Sequence, residues 1–362
     1  MSDDSKLSPL EKIKNDSEYL RSNIAEELAG DDEGFSKDNA NLLKHFGTYQ
    51  QDDRDARASM RATGKKGKQI IMMVRTKIPG GRLTSEQLLA ELDLCDEFGN
   101  GTLRATSRQG LQLHGVPKDD LKATIQRIHQ VGASTLGACG DVNRNVMCCP
   151  APYKLDPVHQ KMQRQADELA AYFAPKTSAY HDIFLKDLDS GEQQCVASTK
   201  GEEVEPLYGR QYLPRKFKMA IALPGDNCVD VYTHDLGFLA VCRDHDIVGY
   251  NVLVGGGQGR TPSAEKTFPA LAQKMAFIRP EQVIDVAAAI VKVQRDFGNR
   301  ADRKVARMKY LIHEWGLPAF KAKVEEYYGA ALDAPWDDDV FRHDDHIGWF
   351  DQGDGRWFYG LN

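Results

Sequence analysis

Apolar residues along the chain fall into blocks of helical and strand period separated by polar stretches. Residues 8–30, SPLEKIKNDSEYLRSNIAEELAG, put Leu10, Ile13, Leu20, Ile24 and Leu28 on one stripe. Ser8, Pro9 and Glu11 supply an N-cap, a first-turn proline and a capping box, so a helix closed by Gly30 is predicted. Residues 31–67 turn polar, with DDE at 31–33, QQDDRDARA at 50–58 and GKKGK at 64–68, and read as the rest of an N-terminal arm with solvated charges. From Gln69 the pattern changes. IIMMVRTK (70–77) is strand-like, and Thr84 and Gln87 cap a helix over 85–98 with Leu88, Leu92 and Cys95 on one face. GTLRATS (101–107) and GLQLHGV (110–116) read as strands, and 117–133 as an amphipathic helix with Pro117 near its start. That order, β-α-β-β-α, is most of a ferredoxin-like unit. A helix over 156–174 follows, then strands KFKMAIAL, NCVDVYT, FLAVC and VGYNVLV within 216–254, and helices over 280–329. In the aromatic, acidic tail, GDGRWFYGL has the form of a turn and the second strand of a hairpin. The predicted fold class is α+β.

Length and charge narrow the function classes. A chain of 362 residues suits two or three domains, and 41% hydrophobic residues suffice for packed cores. The net charge of −6 gives no bulk attraction to nucleic acid, so any anion site must come from local clustering. The acidic start, MSDDSKLSPLEK, lacks the basic and apolar regions of a signal peptide, and no apolar run approaches the roughly 18 residues of a membrane span. A cytoplasmic protein with reduced thiols, and neither nucleic acid nor membrane as partner, is expected.

The stretch GACGDVNRNVMCCP (137–150) holds three of the seven cysteines, Cys139, Cys148 and Cys149. The others are Cys95, Cys195, Cys228 and Cys242, and no C-x-x-C occurs. Metal sites built on one turn need short ligand spacings, so these cysteines read as buried or half-buried thiols and no metal ligand is assigned. Asp141, Asn143, Arg144 and Asn145 form a polar knot among them that is costly to bury without a polar ligand. VGGGQGR (254–260) fits neither G-x-G-x-x-G nor the P-loop pattern; it is either a tight turn or a place where backbone comes close to a large anionic ligand. Strand alternation places Gln112 with His114, and Arg104 with Thr106 and Arg108. With Arg75, Lys77, Arg144, Arg210, Arg215, Lys216 and Lys218, these cations sit at strand ends, where they can line a positive cavity for a polyanionic cofactor, a small oxyanion, or both.

TSRQGLQLHG (106–115), GDVNRNVMC (140–148), YLPRKFK (212–218), NVLVGGG (251–257) and QRDFGNRADRK (294–304) occur in an order that resembles the siroheme-containing sulfite and nitrite reductases. SEYLRSNIAEEL (17–28) and FGTYQQDDRDARA (46–58) resemble the assimilatory sulfite-reducing branch. The resemblance implies six-electron reduction of sulfite to sulfide at siroheme coupled to a [4Fe–4S] cluster. It implies substrate cations Arg75, Arg144, Lys216 and Lys218. It places Arg104, Thr106, Ser107, Arg108, Gln112, His114, Asn145, Gly255, Gly256, Gly257, Arg300 and Lys304 at the siroheme. It implies an NADPH-dependent flavoprotein or ferredoxin as electron donor. The implied domains are an arm (1–67), a ferredoxin-like half-domain (68–134), a siroheme domain (135–334) and the start of a second half-domain (335–362). The family's cluster ligands form C-x5-C and C-x3-C pairs, and neither spacing occurs here. The chain therefore resembles the N-terminal part of the hemoprotein, with the cluster-binding half absent from this sequence; a separate chain carrying that half is a candidate partner. Nitrite reduction and a non-catalytic siroheme- or partner-binding role are the alternatives.

Overall fold

The computed structural model describes residues 7–177, 179, 183–186, 193–197 and 205–361. The acidic residues 1–6 and the Cys195 side chain lie outside the described residues. The chain opens with helices α1 (Pro9–Asp16), α2 (Ile24–Ala29) and α3 (Lys37–Leu42). The continuous helix expected over 8–30 is broken, because Glu18, Tyr19, Leu20 and Ser22 all have positive φ, a turn that sinks Leu20 fully into the core. The expected capping box is also replaced. The Ser8 side chain caps nothing, and Glu11, completely buried, instead pairs with Lys14 at 2.6 Å and with Arg300.

A four-stranded antiparallel sheet follows. It comprises β1 (Thr48–Asp52), β2 (Ile70–Thr76), β3 (Leu103–Ala105) and β4 (Leu111–Val116), in the order β1-β2-β4-β3. Strand β1 comes from the polar stretch read as an arm and pairs Thr48 with Val74. Helix α4 (Arg54–Ala62) links it to β2, and its N-cap Asp53 accepts from the backbone of Asp55 and Ala56. Helix α5 (Ser85–Glu97) is capped reciprocally by Thr84 and Gln87, as the sequence predicts. Its buried face is Ala90, Glu91, Leu94 and Cys95, whereas Leu88 and Leu92 are exposed. Leucines occupy more than one side of this helix, so periodicity alone picks the wrong face. Helix α6 (Leu121–Gln130) begins after Asp120, later than Pro117 suggests.

Next come β5 (Asn143–Met147), α7 (Pro157–Tyr172), an antiparallel pair β6 (Ile183–Lys186) and β7 (Gln193–Ala197), and strands β8 (Phe217–Ala222), β9 (Leu236–Arg243), β10 (Asp246–Val254) and β11 (Gln273–Ile278). A five-stranded sheet runs β11-β10-β9-β8-β5, antiparallel from β9 to β11, with β8 parallel to both β9 and β5. NCVDVYT is not a strand. Asn227 Oδ1 accepts from Val231 N at 2.8 Å and Asp230 turns left-handed, folding the segment into a compact loop. Helices α8 (Val283–Phe297), α9 (Met308–Trp315) and α10 (Leu317–Tyr328) follow, and a hairpin β12 (Gly348–Asp351) and β13 (Trp357–Gly360) matches the predicted tail. The fold is α+β.

Alternation along β8 sets up the site. Phe217, Met219 and Ile221 enter the large core with α7 and α8, while Ala220 and Ala222 pack in a smaller core with Val229 and Val231. Lys216 and Lys218 share the second face, which becomes polar at this end of the strand.

One buried network ties α1 to this region. Lys14 Nζ donates to Leu213 O at 2.7 Å and pairs with Asp141 at 3.2 Å, and Arg303 grips Asp141 with both Nη atoms at 2.7 and 3.0 Å. Removing one partner of a buried ionic cluster strands the opposite charge. Lys14→Met is therefore expected to cost on the order of 3 kcal/mol, read as a lowered urea midpoint at unchanged slope.

Candidate functional site

The residues with candidate chemistry converge where the four-stranded sheet meets the first turns of β5 and β8. Cross-strand register puts Arg75 of β2, Gln112 of β4 and Arg104 of β3 in one row. The Gln112 amide lies 2.8 Å from Arg75 Nε, and His114 Nε2 lies 3.3 Å from Gln112, so the pair predicted to share a face does so. Arg75 Nη1 also reaches Cys139 Sγ at 2.8 Å, and its guanidinium stacks over Tyr49.

The expected alternation Arg104–Thr106–Arg108 fails, because β3 ends at Ala105 and residues 106–110 make a tight turn. Thr106 Oγ1 accepts from the Arg108 and Gly110 amides at 3.3 and 3.1 Å. Arg108 turns inward and donates to the carbonyls of Asn145 and Met219. Burial and then Arg144 push its pKa down to about 9. Asn145 Nδ2 donates to the Ile78 and Arg108 carbonyls, so this side chain fastens the turn from behind. Arg144 bonds Gly140 O at 2.8 Å through Nε.

A cavity of about 170 Å³ is lined by Arg75, Thr106, Ser107, Arg108, Arg144, Asn145, Lys216 and Lys218. A second, of about 500 Å³, shares Lys216 and Lys218 and extends to Arg260, Arg303, Lys304 and Arg307. Lys216 and Lys218 have no hydrogen-bond or ion-pair partner among the described residues. Burial, then Arg144 and Arg215, bring Lys216 down to about 8; burial, then Arg108 and Arg307, bring Lys218 down to about 7. Burial likewise opposes the charge on Asp141, but Lys14 and Arg303 outweigh it and hold its carboxyl well below the usual range.

Two expectations change. Arg300 is not at the cleft: its guanidinium bonds Glu11 and the carbonyls of Tyr212 and Arg295. The glycine run is close-packed on the protein's own atoms. A Cβ on Gly256 would fall 2.3 Å from Tyr232 O, and one on Gly257 would fall 2.3 Å from the Arg307 guanidinium. Sequence reasoning missed Arg303 and Arg307. Arg307 makes a two-pronged pair with Asp235 at 2.7 and 3.1 Å and donates to Gly256 O. Their four-residue spacing in DRKVAR was the available signal. Within the polar knot, Asp141 pairs with Lys14 and Arg303, whereas the buried side-chain atoms of Asn143 have no hydrogen-bond partner among the described residues.

A family described as "Nitrite/Sulfite reductase ferredoxin-like half domain" matches residues 64–131, and one described as "Nitrite and sulphite reductase 4Fe-4S domain" matches residues 174–332. The chain belongs to the nitrite and sulfite reductase family. It is 42% identical to a "Sulfite reductase [ferredoxin]" of Synechococcus elongatus, over 98% of this chain and 58% of that protein. It is 43% identical to a "Sulfite reductase [NADPH] hemoprotein beta-component" of Chromohalobacter salexigens, over 98% of this chain and 61% of that protein. The chain thus spans about three fifths of the length of these curated relatives. Among solved structures it resembles the NirA protein of Mycobacterium tuberculosis, with a TM-score of 0.70 at 25% identity, covering 94% of this chain and 56% of that one.

The donor set suits a polycarboxylate. The cleft's carboxylates, Asp141 and Asp235, are already paired with Arg303 and Arg307, which leaves Arg75, Arg144, Lys216, Lys218 and Lys304 as surplus positive charge. It does not suit a [4Fe–4S] cluster, since the one cysteine group among the described residues with metal-ligand geometry offers two thiols.

An anion that favours charged lysine must take up protons wherever the free lysine is neutral. Sulfate stays dianionic across this range, so its affinity is expected to fall on the order of tenfold between pH 7 and 9 through Lys218 alone, by calorimetric titration. Lys218→Met is expected to weaken binding at pH 6.5 and flatten that dependence.

Proposed function

We infer that this chain is the siroheme-holding part of an assimilatory sulfite reductase, a cytoplasmic enzyme that reduces sulfite to sulfide. The observation that carries this reading is a pair of half-buried lysines, Lys216 and Lys218, with no partner among the described residues and surrounded by guanidinium groups, which with burial lower their pKa values. Both named relatives are sulfite reductases, which favours sulfite over nitrite.

When bound, siroheme supplies the iron that receives the oxyanion and the electrons. Its carboxylates call for the cations that line both cavities, with Arg104, Thr106, Ser107, Arg108, Gln112, His114, Asn145 and Lys304 on the ferredoxin-like side and around the cleft. Arg75, held by Gln112, and Arg144, held by Gly140 O, are guanidinium groups that neutralise the substrate's negative oxygens. Oxygens leave sulfite as water, so protons must arrive at them. A lysine with a pKa near 7 to 8 holds a proton at Nζ and gives it up at neutral pH, which fits Lys216 and Lys218 for that delivery. Cluster thiolates in C-x5-C and C-x3-C arrangement come from polypeptide outside these 362 residues, and electrons from an NADPH-dependent flavoprotein or a ferredoxin.

The chain co-expressed with siroheme synthesis is expected to purify coloured, with a Soret band. With polypeptide bearing the cluster cysteines and a reduced viologen donor, it is expected to turn over sulfite faster than nitrite. Lys218→Met is expected to keep the Soret band and lose on the order of a hundredfold in sulfite turnover. A colourless chain would sink the reading; a coloured one that prefers nitrite would move it to nitrite reduction, and one that never turns over would leave a binding module.

A further inference from the structure

Away from the cleft, four groups with metal-ligand chemistry meet in the interior. Cys149 follows β5, Asp226 and Cys228 lie in the turn after β8, and His346 precedes the β12–β13 hairpin. Cys149, Asp226 and His346 are each less than a tenth exposed, and Cys228 is half-buried. Cys149 Sγ lies 3.2 Å from His346 Nε2, which lies 3.1 Å from each Asp226 oxygen. One ligand atom from each residue, Cys228 Sγ included, falls within 4.8 Å of all the others. Around a tetrahedral zinc ion, bonds of about 2.0–2.3 Å put neighbouring ligand atoms about 3.3–3.8 Å apart. The observed separations therefore bracket that geometry, with only small side-chain adjustments needed.

The geometry points to a structural Zn²⁺ site formed by Cys149, Cys228, His346 and Asp226, which fastens the C-terminal hairpin to the large sheet. Two thiols and an imidazole select a borderline-soft ion and disfavour calcium or magnesium, which take oxygen ligands. The surroundings have the outer layer that orients metal ligands. Tyr153 Oη lies 3.3 Å from His346 Nδ1, the nitrogen turned away from the cluster, with an Asp344 oxygen 3.8 Å away. His159 Nε2 lies 3.1 Å from Asp226 Oδ2, while its other ring nitrogen is 2.7 Å from Asp156. The site also has something to hold. The hairpin exposes Trp349, Trp357 and Tyr359, and its attachments include the Lys154 N to Gln352 O bond at 3.0 Å and the ring contact of Tyr153 with Phe358. The ligands come from three separate chain segments, so a bound ion would cross-link them.

The test uses the full chain purified under reducing conditions without added metal. Elemental analysis is expected to find about one zinc per chain, as a closed four-ligand site predicts. After removal with a chelator, Co²⁺ is expected to give thiolate charge-transfer absorption and the visible bands of a tetrahedral complex. Cys228→Ser and His346→Gln are each expected to lower zinc affinity at least a hundredfold. Cys242→Ser, a half-buried thiol outside the cluster, is expected to keep it. Far-UV dichroism identifies variants that fail to fold, and the Co²⁺ spectrum of the unaltered chain stands without any variant. A featureless Co²⁺ spectrum, zinc retained equally by folded Cys149→Ser and Cys228→Ser chains, or a Cys149–Cys228 disulfide in the reduced preparation would each overturn the proposal.

Discussion

Everything around the cleft depends on keeping many positive charges close together in a partly buried space. Like charges at such distances repel, and burial raises the cost of each. The protein meets this with two buried carboxylates. Asp141 takes Arg303 in a two-pronged pair and Lys14 beside it, and Asp235 takes Arg307 likewise. Each pair fixes a guanidinium at the rim and neutralises it locally. Arg75, Arg144, Lys216 and Lys218 are then left without a paired carboxylate among the described residues. Their depressed lysine pKa values follow from that imbalance: burial first, then neighbouring cations, which together outweigh the opposing pull of Asp235.

The same network explains why an N-terminal helix belongs to the site at all. Lys14 and Glu11 are wholly buried on α1, and through them Asp141, Arg303 and Arg300 are locked to a segment more than a hundred residues away in sequence. Arg300 therefore positions α1 and the loop carrying Tyr212, which in turn leads into Lys216 and Lys218. A guanidinium bound to a carboxylate and two carbonyls has little left to offer a ligand.

What was legible in the sequence divides along physical lines. The strand in KFKMAIAL was legible because a strand's alternation is local, and the structure adds that Lys216 and Lys218 share one face. The α5 cap was legible for the same reason. Failures arise where tertiary contacts override local pattern. Positive φ at residues 18–20 breaks the first helix to seat Leu20, polar TYQQD becomes an edge strand by pairing with β2, and Arg108 leaves the predicted face because the turn after β3 redirects it. The glycines of VGGG signal close approach correctly, but the approaching atoms at Gly256 and Gly257 are the protein's own. The cysteine cluster was illegible in principle, since Cys149 and His346 are 197 positions apart and no short spacing marks them.

The parallel pairing of β5 with β8 gives the molecule two chemically distinct ends. Asn143 pairs with Phe217 at the entry of both strands, where Arg144 and Lys216 face the cleft, and Met147 pairs with Ala220 toward their exit. Cys149 lies two residues past the end of β5, and just beyond β8 Asp226 closes the turn that bridges it to Leu223, with Cys228 two residues further on. Strands of this length separate the ends by roughly 13 Å or more at about 3.3 Å per residue. The cationic end gathers ammonium and guanidinium groups that have no carboxylate partner among the described residues. The sulfur end is enclosed, and its side chains face one another and a surrounding layer of His159, Asp156 and Tyr153. A parallel pair leaves both strands in the same direction, so residues following them are delivered together to one end without a short sequence motif. That is how β5 and β8 can collect cations at their start and thiols, a carboxylate and an imidazole at their finish from segments that look unrelated along the chain.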